Sequence, residues 1–70
     1  MSLAFSKTEN GNYLITETTM SAIKTRVMTV EYTTDLKQKR VGVDPWRDCI
    51  QADIDWFNKY HRKHFENIKE

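Results

Sequence analysis

From Trp46 to Glu70 the chain carries no glycine and no proline, and five of its eight Phe, Tyr and Trp residues fall in that stretch: Trp46, Trp56, Phe57, Tyr60 and Phe65. Asp44-Pro45 stands directly before it, an N-cap oxygen followed by a proline suited to the first helical position. Trp46, Ile50, Asp53 or Ile54, Phe57, Tyr60 or His61, His64 or Phe65, and Ile68 recur at three- and four-residue steps. That is one apolar stripe of period 3.6. Asp48 in the first turn and Lys63 and Lys69 near the far end suit the helix dipole. The spacing predicts one long helix over residues 44–68.

Such a stripe must bury itself against something, and the middle of the chain supplies it. Residues 12–19 and 26–33 are rich in Thr, Val, Ile and Tyr and read as strands. In the second, Met28, Val30 and Tyr32 alternate with Val27, Thr29 and Glu31; the first set is expected to face the helix and the second to face outward, with Glu17 beside Glu31. Residues 34–38 read as a turn, and Lys39-Arg40-Val41-Gly42-Val43 as a short third strand with Val41 and Val43 inward. Residues 1–11 read as a loose leader, 12–43 as the sheet and 44–68 as the helix, all within a single small domain over 1–70. The expected fold class is α+β, a small three-stranded antiparallel sheet packed against one long C-terminal helix.

Seventy residues suffice for one small domain, which buries only about 60% of the surface its unfolded chain exposes. The single cysteine, Cys49, cannot form an internal disulfide and favours a reducing compartment. No apolar run approaches the roughly 18–20 residues that span a bilayer, and the first residues lack a signal-peptide layout. The expected setting is the cytoplasm, with no membrane partner.

Residues that suggest chemistry do not converge along the chain. His61 and His64 stand three apart, but Cys49 lies about 22 Å of helical rise from His64, too far to share one zinc ion. Asp53 and Asp55 face different sides of a helix and make no carboxylate pair. The only glycines are Gly11 and Gly42, so there is no phosphate-cradling loop. The expectation is a binder without catalytic, cofactor or metal residues.

Charge then directs attention to surfaces. Lys and Arg number 11 against 10 Asp and Glu, a net charge of +1, which excludes a uniformly basic protein. Residues 1–43 hold six cations and four anions, and residues 44–70 five and six. Positive charge gathers at Lys24 and Arg26, at Lys37, Lys39 and Arg40, and at the end of the helix. Thr and Arg on an exposed sheet face are able to contact phosphates and base edges. Trp46 and Trp56, ten residues apart, stand roughly 80° apart around a helix, which leaves one of them, Trp56, for a rim position.

Lys39-Arg40-Val41-Gly42-Val43 followed by Ile50-Gln51-Ala52-Asp53-Ile54-Asp55-Trp56-Phe57 resembles the end of the arm-type DNA-binding domain of phage tyrosine integrases, itself similar to the plant AP2 domain. The resemblance spans about residues 26–60, with Gly42 matching a glycine of the last strand and Ala52 and Ile54 an apolar helix face. It implies a three-stranded sheet that enters the major groove of double-stranded DNA with a helix on its back. The resemblance includes nothing of a catalytic domain, so it does not imply recombinase activity. The implied contacts are Arg26, Lys37, Lys39 and Arg40, with Lys24 beside them. The other reading is a phage- or plasmid-type small regulator that binds a host protein through Trp56, Tyr60, Arg62 and Lys63, in keeping with the near-neutral charge. An exposed strand edge also admits a homodimer.

Overall fold

The alternation of β-branched and aromatic residues along the middle of the chain is realised in the computed structural model, which describes residues 1–67. The strands are β1 (Ser2–Lys7), β2 (Tyr13–Met20), β3 (Thr25–Tyr32), β4 (Gln38–Val41) and β5 (Arg47–Asp48). Two helices follow, α1 (Gln51–Tyr60) and α2 (Arg62–Glu66). The strands form one five-stranded sheet in sequence order, each antiparallel to the next. The class is α+β, but the expected three strands and one long helix are replaced by five strands and two short helices.

The first extra strand comes from the stretch read as a leader. Gly11, at φ +82°, permits a tight return, in which its N–H reaches the Thr8 carbonyl at 2.9 Å and the Thr8 N–H reaches Asn12 at 3.0 Å. That sets Phe5 opposite Ile15 and Leu3 opposite Glu17. The Phe5 ring then stacks on His64 at 4.2 Å and meets Phe65 edge-on at 5.4 Å.

The second extra strand comes from the expected start of the helix. Gly42, at φ +59°, turns the chain, and the Asp44 N–H closes on the Val41 carbonyl at 3.0 Å. Arg47 pairs with Lys39, Asp48 with Gln38, and the Cys49 N–H donates to Lys37 at 2.8 Å. Asp44-Pro45 therefore serves a turn rather than a helix start. Val43, expected inward, is 96% exposed. Trp46 leaves the helix stripe and sits 5.0 Å beneath the Arg40 guanidinium. The first helix starts only after Ile50, whose N–H donates to Asp53 Oδ2 at 3.0 Å.

The helix also breaks earlier than its periodicity implies. His61 adopts φ −116°, ψ −35°, and separates α1 from α2. Eight residues of straight helix would separate Phe57 from Phe65 by about 12 Å along the axis, yet their rings stack at 5.7 Å. The break lets both rings enter one core. The expected end at Ile68 lies outside the described residues.

That core consists of Ile15, Tyr32, Leu36, Phe57 and Phe65, with Phe5, Tyr13, Val30, Cys49 and Ile54 packed against it. Leu36 belongs to a turn that reads as polar, and it holds φ +58° while buried. A left-handed residue with a Cβ costs about 1–2 kcal/mol, which burial of a leucine side chain offsets.

Phe57 is fully buried whereas Trp56 beside it is 57% exposed. Phe57→Ala is expected to remove about 3–5 kcal/mol, comparable to the whole stability of so small a domain. Trp56→Ala is expected to cost less than about 1 kcal/mol. Urea unfolding monitored by circular dichroism distinguishes them, and similar losses would contradict this core.

Candidate binding groove

In a sheet, residues two apart share a face, so the register sorts every candidate side chain. One face carries Leu3, Phe5, Tyr13, Ile15, Glu17, Arg26, Met28, Val30, Tyr32 and Lys39, and the helices lie over part of it. The opposite face carries Ala4, Thr16, Thr18, Val27, Thr29, Glu31 and Arg40. Met28, Val30 and Tyr32 thus lie on the helix side and Val27, Thr29 and Glu31 away from it, as the alternation implies. Glu17 does not join Glu31, because it shares its row with Tyr13 and Ile15.

The five cations considered for DNA occupy two faces and two turns. Lys24 lies in the β2–β3 turn and Lys37 in the β3–β4 turn, at opposite ends of β3. Arg26 is opposite Thr19 on the helix side. Lys39 is also on that side, bonded to Asp53 Oδ1 at 3.1 Å and 5.5 Å from the Tyr32 ring centroid. Arg40 alone stands on the outer face, where its Nη2 lies 3.4 Å from Glu31 Oε1 and its Nε is buried without a partner. Glu31 Oε2 also accepts a bond from Asn12 Nδ2 at 3.0 Å.

The residues considered for a protein partner are closer together. Trp56 and Tyr60 sit one turn apart on α1 with ring centroids 4.4 Å apart, both exposed. Lys59 Nζ lies 5.3 Å from the Tyr60 ring centroid. Arg62 folds back instead: its Nε bonds Asn58 Oδ1 at 2.6 Å and its guanidinium lies 5.3 Å from the Phe57 ring. Lys63 is exposed on α2.

β2 and β3 are eight residues each, about 26 Å long, whereas the ten residues of α1 rise only about 15 Å. The helices cover the end of the sheet that bears Phe5, Tyr13 and Tyr32 and leave the other end bare. The result is a groove of about 600 Å³, floored by Leu3, Ile15, Met28 and Val30 and walled by Ala52 and Trp56 of α1, with Met1 at its mouth. Glu17 stands among these apolar side chains, half-buried, with no hydrogen bond or ion pair among the described residues, whereas Lys39 and Asp53, which also line the groove, are paired with each other at 3.1 Å. Leu3 and Met28 are 45% and 47% exposed, large apolar side chains on a face that would ordinarily be covered.

No family model, curated protein or solved structure matches this chain.

The titratable groups near the groove are set up for structure. The Ile50 N–H and the Lys39 ammonium hold the Asp53 carboxyl below its ordinary value. Burial, assisted by Asp53, pushes the Cys49 thiol up, which keeps it protonated and a poor nucleophile. Burial and the neighbouring His64 lower His61. Among the described residues no three His, Cys, Asp or Glu side chains gather as metal ligands, and no helix is long and apolar enough to cross a membrane.

The contribution of the groove residues Met1, Leu3 and Glu17 is not evident from residue type alone. The available signal is the alternation of Tyr13, Ile15 and Glu17, which places a carboxylate in an apolar row.

Because Asp53 has a lower carboxyl pKa folded than unfolded, its stabilisation is complete above the ordinary value of 3.8 and is lost as pH falls through the folded pKa. Asp53→Asn is expected to cost about 1–2 kcal/mol near neutral pH. It is also expected to flatten the loss of stability below about pH 4. Urea unfolding of both proteins across that range measures it.

Proposed function

We propose that this chain is a non-enzymatic binding module whose groove takes an apolar segment of a partner protein, one carrying a Lys or Arg among its apolar side chains. The observation that carries this reading is the 57% exposed Trp56 on the wall of a groove whose apolar floor holds the Glu17 carboxylate, while the other carboxylate lining it, Asp53, is already paired with Lys39. Exposed tryptophan beside a pre-formed apolar groove is what protein interfaces use for their strongest contacts. Glu17 supplies selectivity, since burying it under an uncharged segment leaves a charge without water or partner, whereas a cation compensates it. Tyr60, its ring tilted against that of Trp56 at 4.4 Å, extends the same surface, and Lys63 lies beyond it on α2.

Double-stranded DNA is the competing occupant, through Lys24, Arg26, Lys37, Lys39 and Arg40. Their division between two faces and two turns, with Lys39 and Arg40 already in ion pairs, is why the groove is preferred.

The immobilised chain, panned against a random peptide library, tests this reading. Retained peptides are expected to hold Lys or Arg between apolar residues, and Trp56→Ala is expected to weaken them about tenfold or more. Glu17→Lys is expected to shift selection toward acidic peptides. Peptides indifferent to both substitutions would overturn the reading. So would retention of duplex DNA alone, with an affinity that falls steeply with salt.

A further inference from the structure

A sheet has two edges, and in this one they are finished differently. The last strand, β5, is two residues long and both are charged, Arg47 and Asp48, a blunted edge. The first strand, β1, is six residues long, and Ser2 to Ser6 carry no charge and no proline. Its register against β2 runs without a bulge. None of the usual protections against pairing with another chain is present over those five residues.

The backbone direction of this edge follows from the turn beside it. Thr8 donates to Asn12 at 3.0 Å, so the even-numbered residues of β1 turn their N–H and C=O toward β2. The N–H and C=O of Leu3 and Phe5 therefore point to the open edge. Ser2-Leu3-Ala4-Phe5-Ser6 is also symmetric in character about Ala4: serine at both ends, a large apolar residue at the second and fourth places, and the smallest at the centre.

We propose that β1 pairs antiparallel with β1 of a second copy of this chain, about a two-fold axis at Ala4. Leu3 then lies opposite Phe5 of the second copy, and the two exchange both main-chain hydrogen bonds, as the outward direction of their N–H and C=O requires. The symmetric pair does the same. Ser2 lies opposite Ser6, serine against serine. Ala4 meets its own copy at a non-hydrogen-bonded position, where Cα atoms approach to about 4.5 Å. Moving the axis to Leu3 or Phe5 sets Ala4 against serine and gives up the match of like with like. Moving it by half a residue sets outward groups against inward ones and breaks the ladder. The interface is isologous and joins two sheets into one of ten strands. It uses the strand edge alone and holds whether or not the groove binds a peptide.

The test uses the full chain in a Cys49→Ala background, incubated with oxidised glutathione. Ala4→Cys is expected to give a disulfide-linked dimer on a non-reducing gel, since about 4.5 Å lies within disulfide range. Ser6→Cys alone is expected to stay monomeric and to cross-link only when mixed with Ser2→Cys. Leu3→Pro removes an N–H from the open edge while leaving the bonds to β2 in place. In sedimentation equilibrium the unmodified chain is expected to run as a dimer and Leu3→Pro as a monomer, with unchanged circular dichroism. A monomeric unmodified chain would overturn the proposal. So would Ser6→Cys alone cross-linking as readily as Ala4→Cys, or a folded Leu3→Pro that remains dimeric.

Discussion

The Phe57 ring, fully withdrawn from water, is clasped by Tyr13 at 4.8 Å, Tyr32 at 5.1 Å and Phe65 at 5.7 Å. Those rings come from β2, β3 and α2, so one side chain ties the helical layer to the centre of the sheet. Its requirements propagate outward. Admitting Phe65 beside it demands the break at His61, and Phe65 in turn gives the Phe5 ring of β1 an edge to meet at 5.4 Å. The Lys39–Asp53 pair, at 3.1 Å, fixes the start of α1 above β4. The helix is held at both ends over the same half of the sheet.

That placement has a consequence for the other half. A chain of 70 residues has few large apolar side chains, and most of the aromatic ones are spent around Phe57. Nothing among the described residues reaches over Leu3, Glu17 and Met28, and the groove is what remains. The bare face and the edge of β1 are two separate surfaces with one origin: a short helical layer covers the sheet partially, and the strand that closes the sheet on one side carries no charge from Ser2 to Ser6. On the opposite face, threonines surround an exposed Val27, and Glu31 is held between Arg40 and Asn12.

Much of this architecture is legible along the chain, and the unread part has a common cause. The alternation of Val30 and Tyr32 with Thr29 and Glu31 reports the faces of β3 directly, because period two is a local property. The helical period of Ile54, Phe57 and Tyr60 is equally local. Asp44-Pro45 misleads because the same dipeptide serves helix starts and turns. What decides between them is the pairing of Arg47 with Lys39 and the stacking of Arg40 on Trp46, both contacts across a turn. The break at His61 is likewise a matter of where Phe65 must go. At the surface, the place of Trp56 on the stripe reports its exposure. The cations from Lys24 to Arg40 are near one another in sequence, whereas the pleat distributes them between faces. Glu17 belongs to the groove through the row it shares with Ile15, a placement that needs strand register rather than composition.

The central claim, that the helices cover one half of the sheet and leave the other open, is tested most directly by methyl-resolved NMR with a soluble paramagnetic agent. The methyl group of Met28, on β3 and away from the β1 edge, is expected to relax strongly, while those of Ile15 and Leu36 stay shielded. Met28 as well protected as Ile15 would contradict the account, because the helical layer would then lie over the whole face.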